Sequence, residues 1–148
     1  MTHNQEEGLK HLEVIKNLVC SINSKRMEIE ALKYQAEGVG AIRYDKDKVQ
    51  TSPQNYMEIA MADAIEKEME IEESLAQLDT LKTDAYMIIK QMEDEDSRTF
   101  IINYYLNGIH MLDLISIMHM SERKLYYLRE DALESYGCIL LKFADHCS

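Results

Sequence analysis

The chain has 148 residues, 46% of them hydrophobic, and a formal net charge of −11 at pH 7. Its length suits one ordinary domain, or a small domain attached to a long helical element. One Pro and five Gly leave few turns for an all-β protein, so the composition predicts an all-α fold. The N-terminus is polar and acidic, and no run of about eighteen apolar residues exists. We therefore expect no membrane association and a location in the cytoplasm.

The three cysteines, Cys20, Cys138 and Cys147, lie far apart and form no CxxC pair. A scattered set of odd number is typical of reduced thiols in the cytosol. The sequence gives no support for a zinc site.

The acidity is concentrated in the middle of the chain. Residues 1–55 hold eight basic and eight acidic side chains, residues 56–97 hold three and thirteen, and residues 98–148 hold five and six. The C-terminal third is therefore nearly neutral, so its capacity to bind a charged partner does not follow from the net charge of the whole chain.

Two long amphipathic helices are predicted before the C-terminal third. The first runs from Leu9 to about Ala36 and is ended by Gly38 and Gly40. A connection at about residues 38–54 follows, and a second helix starts at about residue 55. The apolar rows are Ile15, Ile22, Ile29 and Ala36 in the first helix, and Met57, Ala64, Ile71, Leu78, Ala85 and Met92 in the second, with Met61, Leu75 and Ile89 four residues after members of that row.

A connection this short predicts that the two helices form a long antiparallel hairpin, a coiled coil, over residues 1–93. Lys25 interrupts the first row, and Glu68 and Lys82 interrupt the second. Two alternatives are open for these charged side chains: they pair with one another, or they lie at the edge of the seam with their heads in water. Because two helices alone make a thin core, we expect the hairpin to form a homo-oligomer or to dock on another domain.

An acidic run in the second helix is predicted to be a solvated face. Its members are Glu66, Glu68, Glu70, Glu72 and Glu73. No Glu-x-x-His pair accompanies them, so we predict no metal site and no cofactor. The negative field of this face is expected to repel nucleic acid.

Residues 94–148 are predicted to form a three-helix domain. Its helices span about 98–106, 111–118 and 121–136, with Ser121 suited to cap the third. The third helix is expected to end ahead of Gly137. The tight turn between the last two helices predicts a helix-turn-helix. The positions expected to be buried in it are Leu114, Met118, Met120, Leu125 and Leu128, and Ala132 and Leu133 extend the same face.

The opening of the third helix is the predicted DNA-binding element. With Leu125 at the centre of the buried side, a step of about 100° per residue points Arg123, Tyr127, Glu130 and Glu134 outward. The N-terminal half of such a helix enters the major groove, where Arg and Lys bond guanine edges or phosphates and Tyr contacts phosphate or a thymine methyl. The predicted site is formed by Ser121, Glu122, Arg123, Lys124, Tyr126 and Tyr127.

Residues 98–136, RTFIINYYLNGIHMLDLISIMHMSERKLYYLREDALESY, combine an Arg, an aromatic pair, a Gly, a helix, a Ser-capped helix and a closing Ala-Leu. This pattern resembles the fourth region of bacterial sigma factors, the helix-turn-helix that contacts the promoter −35 element. The whole chain, including KVQTSP at residues 48–53, is similar to a family of small phage and prophage proteins of unknown function from Gram-positive hosts, regarded as sigma-like regulators of late phage genes. The resemblance implies a regulator that acts on double-stranded DNA in a bacterial cytoplasm, with RNA polymerase as a partner.

Two positions differ from the usual motif. Ile115 stands where such motifs place Ala to let the helices approach, and His119 stands where the turn favours Gly. The helix at 111–118 is also apolar on nearly all sides, which predicts that it is buried against the hairpin or another subunit.

The sequence favours a phage or prophage transcription regulator that recognises DNA with the helix starting at Ser121 and oligomerises or contacts RNA polymerase through the hairpin. With few cations on the DNA-binding face, a monomer is expected to bind weakly and with a shallow dependence on salt. Two alternatives remain: a DNA-packaging or assembly protein like the small terminase subunits, and an interaction module that has lost DNA binding.

An enzyme is not indicated by the sequence. It contains no nucleophile elbow, no phosphate-binding loop and no metal-ligand spacing. His110 and His119 lie near Asp113, but histidines beside a turn are expected to be structural or solvated, so we predict no catalytic residues.

Overall fold

A computed structural model describes the backbone of residues 1–42 and 53–147, and the side chains of residues 1–36 and 55–145. The described residues form helices and no strands, so the fold is all-α as predicted. The elements are α1 (His3–Ile42), α2 (Pro53–Ile89), α3 (Glu95–Ile101), a π-helix (Ile102–Leu106), α4 (Met111–Met118) and α5 (Glu122–Cys147).

The chain divides into two compact units. The first unit comprises Met1–Cys20 with Gln77–Ser148, and the second unit comprises Ser21–Ala76. The domain boundary predicted at residues 93 and 94 falls inside the first unit, because the opening turns of α1 pack against α5. Each unit has its own buried side chains.

In the second unit, α1 and α2 pack antiparallel along the predicted rows. Ile22, Ile29 and Ala36 of α1 and Ala60, Ala64 and Ile71 of α2 are all buried. Pairing of Lys25 with Glu70 and of Glu28 with Lys67 shows the antiparallel direction, since the α2 partner number falls as the α1 number rises.

The charged side chains at this seam are paired across it. Lys25 Nζ lies 3.5 Å from Glu70, and Lys33 Nζ lies 3.0 Å from Glu68. The Lys33 and Glu68 side chains are 49% and 48% exposed, so this pair stabilises the unit by less than about 1 kcal/mol. Lys25 and Glu68 therefore do not pair with each other, as the first alternative required, but lie at the edge of the seam and form ion pairs with other side chains.

Three members of the predicted α2 rows are not in the seam. Met57, Met61 and Leu75 are 40%, 42% and 38% exposed. A seven-residue step drifts by about 20° around the helix, which places Met57 beside the seam, and the four-residue step turns Met61 and Leu75 by about 40° away from the row.

Both ends of the connection differ from the prediction. Helix α1 starts at His3 and continues through Gly38 and Gly40 to Ile42. A glycine within a helix costs only about 1 kcal/mol relative to alanine, so it weakens the helix without ending it. Helix α2 begins at Pro53, a residue favoured in the first helical turn. The remainder of the predicted connection, with residues 48–52 of the KVQTSP motif, lies outside the described residues.

The first helix of the C-terminal third is divided between α3 and the π-helix. Asp94 caps α3, because its Oδ2 accepts hydrogen bonds from Ser97 N at 3.1 Å and Ser97 Oγ at 2.7 Å. The π-helix ends with Asn107 N donating to Ile102 O at 2.9 Å, and Gly108 then adopts a φ of 70°. The side chains buried in the first unit are Leu12, Ile15, Val19, Leu78, Ala85, Ile88, Ile89, Met92, Ser97, Phe100, Ile101, Tyr105, Leu106, Leu114, Leu125, Ala132, Leu133 and Tyr136.

The prediction that the third helix ends ahead of Gly137 is wrong. Helix α5 continues to Cys147. Gly137 instead lies where α5 crosses α1: a Cβ built there would be 1.7 Å from Asn4 O. On the facing helix, a Cβ built at Gly8 would be 3.0 Å from Leu133 O. The absent side chains let the two backbones approach, and this contact accounts for Gly137 better than a helix end does.

Helix α4 is less covered than its composition predicts. Leu114 is fully buried, but Leu112 and Ile117 are 74% and 50% exposed. Within one copy of the chain, no described residue buries α4 on several sides, and the expected contact with another subunit stays a prediction. One side of α4 packs on α5 and the π-helix, and the opposite side is open.

Candidate nucleic-acid interface

The turn between α4 and α5 has the two local features expected of a helix-turn-helix. His119 adopts the left-handed conformation, with φ 53° and ψ 43°, in the position where such turns favour glycine. A non-glycine residue in this conformation costs about 1–2 kcal/mol. Ser121 caps α5, because its Oγ accepts a hydrogen bond of 3.2 Å from Lys124 N.

The predicted DNA-binding residues lie together on the surface of the first unit. Leu125 is fully buried and fixes the opening of α5 from the inside. Tyr126 and Tyr127 are 48% and 57% exposed. The remaining members of the predicted site, Ser121, Glu122, Arg123 and Lys124, are all exposed. No described residue covers this face of α5.

A shallow, open depression lies on this face. It is lined by Glu122, Arg123, Tyr126, Tyr127 and Glu130. The Arg123 guanidinium carbon is 5.9 Å from the centre of the Tyr127 ring, near the outer limit of a cation–π contact. Arginine, tyrosine and carboxylate side chains at one place supply both hydrogen-bond donors and acceptors.

The electrostatic balance of this face is close to neutral. Arg123 and Lys124 are opposed by Glu122 and Glu130, all of them exposed. The third cation of this stretch, Arg129, points inward, and its Nε donates a hydrogen bond of 3.2 Å to Tyr105 Oη. The face therefore attracts a polyanion only weakly through its net charge.

Arg129 has a role in the site that was not predicted from the sequence. Its bond to Tyr105 fastens α5 to the π-helix immediately below the exposed face. Burial raises the pKa of Tyr105 further above neutral, and the oxygen of the protonated phenol accepts the bond from Arg129. The only sequence signal was that Arg129 stands four residues after Leu125, one helical turn along the buried side.

The first residues of the chain bond to the side of α5 that was predicted to point outward. Thr2 Oγ1 donates a hydrogen bond to the Glu134 carboxylate, and Asn4 Nδ2 donates a second one of 2.9 Å. Gln5 Nε2 donates to the Glu130 carbonyl at 3.0 Å. The bonds from Thr2 and Asn4 lower the pKa of Glu134. The outward direction predicted for Glu134 thus leads to α1 and not to open solvent.

The described residues provide neither a metal site nor a membrane-spanning helix. No group of three or more His, Cys, Asp or Glu side chains in the described part of the chain could hold a metal ion. Among the described helices, none has the length and the apolar character that crossing a bilayer requires. Cys20 and Cys138 are free thiols. Comparison of the chain with protein-family models, curated proteins and solved structures gave no match.

Proposed function

We propose that the chain is a sigma-like transcription regulator of phage or prophage origin, acting in the cytoplasm of a bacterial host, that binds double-stranded DNA through the opening turns of α5. The main support is the exposure of Arg123, Lys124, Tyr126 and Tyr127 on one side of a helix that Leu125 anchors from the other. The resemblance of residues 98–136 to the fourth region of sigma factors is the second support.

The chemistry of the exposed side chains suits the major groove. Arg123 and Lys124 can bond guanine edges or phosphates, and Glu122 can accept a hydrogen bond from the cytosine amino group. Tyr126 and Tyr127 can contact phosphates or a thymine methyl. Each well-formed base contact discriminates by about 1–3 kcal/mol, so two or three such contacts are enough for recognition of a short site.

The small number of cations limits the affinity of one copy. With Arg123 and Lys124 as the exposed cations of the site, only a few counterions are released on binding. Useful affinity then needs a second point of attachment. The helical hairpin formed by α1 and α2 supplies it, either by joining a second copy or by contacting RNA polymerase.

A mobility-shift assay tests the proposed site. Duplexes selected from a random library by the full-length chain at low salt are titrated with the Arg123→Ala, Lys124→Ala double variant. We expect the affinity to fall by at least about ten-fold and the salt dependence of log K to become shallower by about 2, because two phosphate or base contacts are lost.

The matched control changes two exposed cations elsewhere in the first unit. Lys90 and Lys142 are exposed and lie outside the opening of α5. The Lys90→Ala, Lys142→Ala variant alters the net charge equally and is expected to bind within about two-fold of the wild type. Equal affinity of the two double variants would remove the opening of α5 as the DNA-binding element.

One observation favours a second candidate function, an interaction module that has lost DNA binding. The balance of Arg123 and Lys124 against Glu122 and Glu130, together with exposed Leu112 on α4, also suits a protein partner. This candidate predicts no mobility shift with any selected duplex even at low salt.

A further inference from the structure

The part of α2 in the second unit bears an apolar stripe outside its seam with α1. Met57, Met61, Ile65 and Leu75 are 40%, 42%, 54% and 38% exposed. At about 100° per residue, these four side chains fall within an arc of about 80° next to the seam. We call this surface the α2 stripe. Helix α1 covers the seam, and no described residue of the second unit covers the stripe.

Carboxylates alternate with the apolar side chains on the same arc. Glu68 and Glu72 lie within the arc, Glu58 lies about 20° beyond its edge, and no cation of residues 55–76 falls within the arc. Glu68 is paired with Lys33 at 3.0 Å. Glu58 and Glu72 are exposed and form no ion pair with a described residue. The α2 stripe is therefore both apolar and negative.

This charge decides between two possible occupants of the stripe, a second copy and a cationic partner. Residues 55–76 contain seven acids and one base, Lys67. Lys67 is already paired with Glu28 of α1 at 2.8 Å. Two copies packed stripe to stripe would bring Glu58 and Glu72 of both copies together with no unpaired cation of residues 55–76 to offset them, whereas a cationic helix would compensate each one.

We propose that the α2 stripe docks a basic amphipathic helix of another protein, completing a three-helix arrangement on the second unit. From Met57 to Leu75 the stripe is about 27 Å long at 1.5 Å per residue, the length of a partner helix of about five turns. The apolar residues of the partner lie along Met57, Met61 and Ile65, and its Lys or Arg side chains contact Glu58 and Glu72. Flexible methionine side chains accommodate apolar surfaces of varied shape. This inference does not depend on DNA binding by α5.

The test uses a fluorescent amphipathic peptide of about 20 residues, made of Lys and Leu with helical spacing, and the full-length chain. Binding is followed by fluorescence anisotropy. We expect the Met61→Ser, Ile65→Ser variant to bind the peptide at least about ten-fold more weakly than the wild type, because the centre of the stripe loses its apolar contacts.

The matched control removes one methionine and one isoleucine outside the stripe. Met27 and Ile59 are 72% and 59% exposed. The Met27→Ser, Ile59→Ser variant is expected to bind the peptide within about two-fold of the wild type. Circular dichroism checks that both variants keep their helical content, as expected for changes at exposed positions.

A second variant tests the charge separately and preserves the shape of the surface. Glu58→Gln with Glu72→Gln is expected to weaken binding about five-fold at low salt and less at high salt, because screening already reduces the attraction.

Three results would overturn the proposal. The first is equally tight binding of a peptide with the same composition in scrambled order, which would indicate attraction by net charge alone. The second is an equal loss of affinity in the Met61→Ser, Ile65→Ser variant and in the Met27→Ser, Ile59→Ser variant. Alternatively, sedimentation would show a dimer of the wild type that the Met61→Ser, Ile65→Ser variant abolishes, which would identify a second copy as the occupant.

Discussion

His11 and Tyr136 form a hydrogen-bonded pair where α1 packs on α5. His11 Nδ1 and Tyr136 Oη are 2.8 Å apart, and the tyrosine is fully buried. Burial lowers the pKa of His11, and a smaller effect of Asp84 opposes this shift. Burial also raises the pKa of Tyr136. The contact is therefore built for a neutral imidazole and a neutral phenol.

This pair makes the stability of the first unit depend on pH. Above the ordinary histidine pKa of about 6.5, both the folded and the unfolded chain hold His11 neutral. Below it, the unfolded chain takes up the proton first, so the free energy of unfolding falls until the pH reaches the lowered pKa of the folded state. We expect urea unfolding midpoints to decrease between pH 7.5 and pH 5.5, with part of that decrease absent from the His11→Gln variant.

His3 provides the control for this experiment, since it is exposed on the same helix. The His3→Gln variant is expected to retain the pH dependence of the wild type. If His11→Gln and the wild type lose stability in parallel over this range, burial of His11 is not the cause.

Helices α1 and α5 meet at their glycines. The Gly8 and Gly137 positions leave no room for a side chain, and Thr2, Asn4 and Gln5 bond α5 on the N-terminal side of this crossing. Close packing of this kind orients α5 through its middle turns and leaves its first turns uncovered. The geometry of the candidate site thus depends on contacts two to four turns further along the same helix.

The crossing predicts a large effect of one methyl group. Gly137→Ala is expected to lower the free energy of unfolding by about 3 kcal/mol, because overpacking against the Asn4 carbonyl outweighs the gain in helix propensity of about 1 kcal/mol. Ser135→Ala, at an exposed position of the same helix, is expected to change it by less than about 0.5 kcal/mol. An alanine variant at position 137 as stable as the wild type would exclude the close crossing.

The elements differ in how far the sequence could predict them. Burial of Ile15, Ile22 and Ile29 was predictable because the buried side of a helix follows from the spacing of its apolar residues alone. The roles of the glycines were not, because Gly40 and Gly137 have the same local propensity to end a helix. The contact that explains Gly137 comes from Asn4, at the other end of the chain.

In the candidate site, too, some features could be predicted from the sequence and others could not. Exposure of Arg123 and Tyr127 follows from the position of Leu125, one step of helical geometry. The inward turn of Arg129 depends on Tyr105, and the engagement of Glu134 depends on Thr2. Both contacts are tertiary, so spacing within α5 could not predict them.

Across the whole molecule, the distribution of charge separates two kinds of partner. The α2 stripe is negative, whereas the opening of α5 is nearly neutral and presents Arg123 and Lys124. Under the two proposals, the first surface binds a cationic helix and the second binds a polyanion. Since these ligands have opposite charge, neither is expected to compete for the site of the other.

The most direct test of the central claim is a nuclear magnetic resonance titration of the full-length, isotope-labelled chain with a selected DNA duplex. The account predicts that the largest changes in backbone amide resonances occur at residues 121–127 and that the Arg123→Ala, Lys124→Ala variant greatly reduces them. Changes that are absent, or that are largest in the acidic helix α2, would contradict it.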